Sequence, residues 1–174
     1  AVYNRGKFAE IVIPGNIQNI GPSAFRKTMI MGDDGNGGIL QLPEGLINIE
    51  GDAFRECNLK EVKFPSTLQK IDYEAFLYNR LTTVTLNEGL EVIGFSAFAN
   101  NLISGDIVLP SSLTFIVGGT TGSFFGNKDI TAFRVKQNRA IAPMANDTVK
   151  GAAPFGVEGC ANRVYYLDDP QPIP

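Results

Sequence analysis

LPEGLINIEGDAF, residues 42–54, returns 44 residues later as LNEGLEVIGFSAF, residues 86–98, with seven of thirteen letters unchanged. Midway between them lies FPSTLQKIDYEAF, residues 64–76, so 44 is two steps of 22. An earlier copy reads IPGNIQNIGPSAF from Ile13, and a later one begins LPSSLTFIVGG at Leu109. Self-similarity at a fixed short period is the mark of a repeat architecture and is read before anything else.

The five copies align column by column. Ile11, Leu40, Val62, Val84 and Ile107 open the pattern, and Ile13, Leu42, Phe64, Leu86 and Leu109 follow two residues later. Next stand Pro14, Pro43, Pro65, Asn87 and Pro110, with asparagine the one departure. Ile17, Leu46, Leu68, Leu90 and Leu113 come after, then Ile20, Ile49, Ile71, Ile93 and Ile116. An Ala-Phe pair closes four copies at Phe25, Phe54, Phe76 and Phe98; in the fifth, Ser123-Phe124-Phe125 arrives late. The first step is longer than the others by seven residues, an insertion inside the glycine-rich stretch RKTMIMGDDGNGG that reads as a loop.

The alternation V-x-F-P or V-x-L-N has period two, which predicts a short strand with one buried face. Proline ends that strand because it cannot donate to a sheet ladder. L-x-x-I and Ala-Phe then bury large side chains again within about ten residues, more than a 22-residue unit can cover alone, so copies must stack. The expected fold is a solenoid of about five to six coils. It has a parallel sheet on one face, turns or short helical segments on the other, and a stacked Phe row between. Its units are 11–38, 39–60, 61–82, 83–105 and 106–131, with an irregular sixth repeat and cap at 132–168 and a Pro-rich end at 169–174. Within that last part Phe133-Arg134-Val135 and Val164-Tyr165-Tyr166 read as strands, and VYNRGKF at the start reads as a cap or as a repeat cut by a domain boundary.

The pattern resembles the BspA-type leucine-rich repeats, whose units read roughly L-x-x-V-x-[IL]-P-x-x-[LV]-x-x-I-x-x-x-A-F-x-x-C. Leu46, Ile49, Ala53-Phe54, Cys57, Leu59, Val62, Phe64-Pro65 and Leu68 fit it closely. The resemblance implies a right-handed superhelix, an extracellular or cell-surface setting, and a non-enzymatic binding module that adheres to host or matrix glycoproteins. A structural spacer within a larger surface protein is the alternative it leaves open.

Composition narrows the chemistry. The 174 residues carry 15 basic and 18 acidic side chains, interspersed, with net charge −3 and no basic stripe to suit nucleic acid. No apolar run approaches the roughly 18 residues of a membrane span. The opening AVYNRGKFAEIVIP has no apolar signal block, so a signal peptide and anchor are expected outside this stretch. The chain has no His, which excludes a Ser-His-Asp triad, and it has no S-x-x-K. No catalytic residue, cofactor or metal is assigned. In GDDGNGG the positions that would serve as third and fifth calcium ligands are Gly35 and Gly37, which bring no side-chain oxygen. Asp168 and Asp169 read as solvated charges, and Asn146-Asp147-Thr148 as a sequon of little weight. Cys57 and Cys160 fall about four coils apart at roughly 5 Å per coil, too far for a disulfide, and are expected as buried free thiols.

Ligand recognition is expected on the sheet face, where the outward rows are Val12, Gln41, Lys63, Thr85, Val108 and Arg134, and Glu10, Ile39, Glu61, Thr83, Asp106 and Ala132. The candidate ligand-binding residues are Gln41, Glu61, Lys63, Thr83, Thr85, Asp106 and Arg134, with Glu61 and Lys63 spaced to pair. The insertion at 26–38 and the segment 137–153 are the other candidates, since loops on a rigid frame carry recognition.

Overall fold

A computed structural model describes residues 7–32, 35, 37–116, 122–135 and 164–166. Among these, β1 (Lys7–Phe8), β2 (Asn19–Ile20), β3 (Met29–Ile30), β4 (Gly38–Gln41), β5 (Asn48–Ile49) and β6 (Leu59–Lys63) come first. They are followed by β7 (Lys70–Ile71), β8 (Val92–Ile93), β9 (Ser104–Val108), β10 (Phe115–Ile116), β11 (Asp129–Val135) and β12 (Val164–Tyr166). Every pairing is parallel. The chain is a solenoid, and no described helix is long and apolar enough to cross a membrane.

The expected strands form. β6 carries Val62 inward and pairs with β4 in the register Leu40↔Val62 and Gln41↔Lys63. β11 holds Phe133-Arg134-Val135 between β9 and β12, so both late strands take their places in the stack. β1 pairs with β3 as Lys7↔Met29, one 22-residue step away, so Lys7 and Phe8 sit in phase with the repeats.

The Phe row stands as the sequence implies. Phe25, Phe54, Phe76, Phe98 and Phe124 stack ring on ring at centroid spacings of 5.1, 5.4, 5.5 and 5.2 Å. Phe133 caps the row at 5.4 Å with its ring tilted 59°. Ser123 occupies an Ala position and stays satisfied, its hydroxyl donating to the Gly94 carbonyl at 2.8 Å.

Two expectations are corrected. The face opposite the strands carries no helix among the described residues. Ser23, Asp52, Glu74 and Ser96, two before each Phe, and Lys27, Glu56, Tyr78 and Asn100, two after it, have φ between 52° and 60°. Alternating left-handed residues cannot propagate an α-helix. They turn the peptide groups along the stacking axis instead, so the Phe25, Phe54 and Phe76 N–H groups donate to the Ala53, Ala75 and Ala97 carbonyls of the next coil, each at 2.8 Å. Backbone hydrogen bonding is therefore satisfied between coils on this face as it is in a sheet.

Secondly, the longest sheet is not at V-x-[FL]-P. It is the five-stranded array β2-β5-β7-β8-β10, built from the conserved-spacing Ile positions Ile20, Ile49, Ile71, Ile93 and Ile116. The V-x-[FL]-P strands form separate pieces, β4-β6 and β9-β11-β12, with no strand at residues 83–85 between them. Ala132, expected to face outward, is buried, although it pairs with Asp106 as the alignment implies. Among the described residues the five-stranded sheet closes about four turns.

A buried polar column runs beside the Phe row, at the third residue after each Phe: Thr28, Cys57, Asn79, Asn101 and Asn127. Asn79 Oδ1 accepts from the Cys57 and Leu59 N–H groups at 3.1 and 3.0 Å, and its Nδ2 donates to the Phe54 and Phe76 carbonyls. Asn101 and Asn127 repeat this with Leu81 and Ile103 as donors and the Phe76, Phe98 and Phe124 carbonyls as acceptors. One amide side chain thus satisfies the bend between turn and strand in the three coils that carry asparagine here.

The 44-residue echo also finds its cause. Glu44 accepts from Ser66 N–H and Oγ at 3.2 and 2.9 Å, and Glu88 accepts from Ser111 N–H and Oγ at 2.9 and 2.7 Å. Gly45 and Gly89 donate their N–H groups to Thr67 Oγ1 and Ser112 Oγ in the same two interfaces. Glu-Gly coils alternate with Ser-Thr or Ser-Ser coils because each kind completes the other. Between the pairs, Asn87 stands where proline would, and its Nδ2 reaches back to the Ser66 and Leu68 carbonyls.

Phe76→Ala removes a fully buried ring from mid-row and is expected to cost roughly 3–5 kcal/mol in urea unfolding; a loss under about 1 kcal/mol would contradict the stacked core. Asn101→Ala leaves buried N–H and carbonyl groups without partners, and the same measurement is expected to show a loss of roughly 3 kcal/mol.

Candidate functional site

The missing strand at 83–85 makes the most distinctive place on the V-x-[FL]-P face. Among the described residues no backbone hydrogen bond joins residues 83–86 to a neighbouring coil; the last rungs before the gap are Thr82 N–H to the Lys60 carbonyl and Ser104 N–H to the Thr82 carbonyl. Thr-Thr-Val-Thr has high strand propensity, so the interruption is imposed by packing. Phe64 stands in a column otherwise filled by Ile or Leu. Its ring meets Phe76 edge-on at 5.6 Å and reaches Phe98 of the following coil at 6.1 Å. The Phe64 ring thus spans two coils beside the interruption.

The result is a groove of about 270 Å³ lined by Glu61, Val62, Lys63, Phe64, Thr83, Thr85 and Asn87. Its floor is less sealed than the level of Leu42 and Leu109. Leu42 and Leu109 are 1% exposed, whereas their counterparts Phe64 and Leu86 are only partly buried, as is Val84. Four of the seven residues expected from sequence as ligand contacts, Glu61, Lys63, Thr83 and Thr85, line this one groove. Lys63 Nζ lies 3.9 Å from Glu61 Oε1, the pairing their spacing predicts. Gln41 sits beside Lys63 through the β4–β6 register, its amide donating to the Leu42 carbonyl at 3.3 Å.

Asp106 and Arg134 are brought together with each other, apart from the groove lining. Arg134 Nε donates to Asp106 Oδ2 and Thr131 Oγ1 donates to Asp106 Oδ1, both at 2.5 Å. The Thr131 hydrogen bond, then the Arg134 charge, hold the Asp106 carboxyl below the usual carboxylate range. Sequence reasoning did not anticipate the gap itself; the Phe at position 64 in a Leu column was its one visible sign.

Cys57 is a buried free thiol whose Sγ donates to the Phe25 carbonyl at 2.8 Å, and burial pushes its pKa up to about 12. Cys160, Asp33, Asp34, Asn146, Asp168, Asp169 and the segment 137–153 fall outside the described residues. Among the described residues no group of His, Cys, Asp and Glu is placed to hold a metal ion.

The model of the BspA type leucine-rich repeat region matches residues 1–131 in six copies. The chain belongs to that family. No curated protein and no solved structure matches it. Six copies ending at residue 131 agree with β1 lying in repeat phase, which adds one unit before the five aligned from Ile11. Leucine-rich repeats of this kind typically build protein-interaction scaffolds.

Asp106 carries its stabilisation above its unfolded pKa and loses it as pH falls through the lower folded value. Thermal melts below about pH 4 are therefore expected to show wild type losing an advantage over Asp106→Asn that it holds at neutral pH.

Proposed function

We propose that this chain is an adhesion module displayed at a cell surface, and that it grips a protein or glycoprotein of the host matrix at the groove between residues 61–64 and 83–87. The break in the ladder carries this reading. Open backbone groups beside half-exposed aliphatic and aromatic side chains suit an inserted polypeptide edge, because exposed strand edges pair readily. Glu61, Lys63, Thr83 and Thr85 supply charge and hydroxyl groups at the rim. The rigid stack beneath keeps the ordering cost of binding low.

A spacer role is the second reading. It is favoured by the internal pairing of Glu61 with Lys63 and of Asp106 with Arg134, which leaves much of this face's charge already satisfied.

Immobilised fibronectin and fibrinogen, probed with this chain by surface resonance, distinguish the two. Saturable binding lost by at least tenfold in Lys63→Glu/Thr85→Arg and kept in Arg134→Ala is expected for the groove. Binding kept by the double variant would move recognition off the groove, and no binding at tens of micromolar would leave the spacer reading.

A further inference from the structure

Two rungs of the coil-to-coil ladder are missing at the interrupted strand, and each has a closed counterpart in a flanking pair of coils. Leu42 N–H donates to the Lys63 carbonyl at 3.2 Å, and Leu109 N–H to the Arg134 carbonyl at 2.9 Å. The repeat sets Phe64 N–H against the Thr85 carbonyl and Leu86 N–H against the Val108 carbonyl, and neither bond forms. Phe64 and Thr85 both line the groove. It therefore holds one backbone donor and one backbone acceptor, on adjacent coils, with no partner among the described residues. Such groups favour a ligand that pairs them both.

The opening is short. Thr82 N–H, bonded to the Lys60 carbonyl at 3.4 Å, closes one end, and Asn87 Nδ2, bonded to the Ser66 carbonyl at 3.3 Å, closes the other. Only residues 83–86 lie between, fewer than the roughly five or six of an ordinary strand, so a partner strand finds little ladder to pair along. A single side-chain group suits the space. The lining carries one Glu and one Lys, 3.9 Å apart, so it has no net charge and favours a neutral group. A carboxylate accepts from Phe64 N–H but sets like partial charge against the Thr85 carbonyl, and an ammonium does the reverse. A carboxamide carries a donor and an acceptor on one planar frame and answers both.

The fold uses that group for the same task. Asn101 Oδ1 accepts from Leu81 N–H at 3.0 Å while its Nδ2 donates to the Phe76 and Phe98 carbonyls of two coils. Asn79 does likewise one coil earlier, with Cys57 N–H as donor and the Phe54 and Phe76 carbonyls as acceptors. Resting on the groove reading above, we propose that the groove takes a carboxamide side chain, Gln or Asn, of its protein partner. The amide oxygen accepts from Phe64 N–H and the amide NH2 donates to the Thr85 carbonyl. Phe64, partly buried, walls the methylene stem.

Five blocked tripeptides, acetyl-Ala-X-Ala-N-methylamide with X as Gln, Asn, Glu, Met or Ser, test this by amide-shift titration of the whole 174-residue chain. Expected is a saturable shift centred on the Phe64, Thr85 and Leu86 amides with Gln or Asn, the better of the two binding at least about tenfold tighter than Glu, Met or Ser. The Phe64 amide is also expected to exchange at least about tenfold more slowly in that complex, because its hydrogen is then bonded. Thr85→Arg, at an exposed position, crowds the groove mouth and is expected to abolish the shift while the melting temperature holds. No saturable shift up to about 50 mM of either amide peptide would overturn the proposal. So would equal binding of the Met peptide, which would mean apolar filling alone, of the Glu peptide, which would mean a bare acceptor, or of the Ser peptide, which would mean that any hydroxyl suffices. Groove-dependent fibronectin binding that persists without an amide preference overturns the carboxamide alone, whereas loss of both overturns the groove as well.

Discussion

Each Phe N–H reaches the carbonyl of the preceding residue's counterpart one coil further on, and that rung, repeated through the turn surface, sets the spacing of everything else. Because it fixes adjacent coils at hydrogen-bonding distance, the rings behind it stack at 5.1–5.5 Å. The same spacing lets one asparagine amide bridge two coils, as Asn101 does between the Phe76 and Phe98 carbonyls. Remove the axial alignment of the peptide groups and both columns lose their register. The left-handed residues flanking Ala-Phe create that alignment, at a conformational cost of order 1–2 kcal/mol each that a free chain would not bear. The stack as a whole makes up for it through cooperative neighbour contacts.

Against so regular a frame, departures carry the functional content. Phe64 is one, an aromatic in an aliphatic column whose ring leans into the next coil, beside residues 83–85, which form no strand. Tyr73 is another. It lies over Gly51, where a β-carbon would come within 2.1 Å of the ring, and stacks on Phe95 at 5.5 Å, so a missing side chain in one coil makes room for an aromatic in the next. The second case shows size exchanged between coils, with the 22-residue period left intact.

The repeat, the Phe row, the strands at Phe133 and Val164 and the burial of Cys57 were legible in the sequence, because each depends on periodicity or on hydrophobic spacing within one coil. The turn conformation was not. Asp, Ser and Asn recur beside Ala-Phe and tolerate positive φ, but a short helical turn would accept them too. The asparagine column was present in the letters as well, at Asn79, Asn101 and Asn127, three residues after Phe in each case. It was read through Cys57 as a position for a buried thiol, and only the bridging of two coils reveals an amide's use there.

The sequence by itself determined that this chain stacks in 22-residue coils, which side chains those coils bury, and that conventional histidine-based catalysis is impossible. Tertiary structure decided where the sheet is continuous, where it breaks, and which of the candidate contacts meet: Glu61, Lys63, Thr83 and Thr85 at one groove, Asp106 and Arg134 at another place. It also decided that Lys27, Glu56 and Tyr78, scattered along the chain, share one cleft. The reason is physical. Burial within a coil follows from the order of its own residues, whereas a rung or a gap between coils depends on what the coil 22 residues away places opposite it.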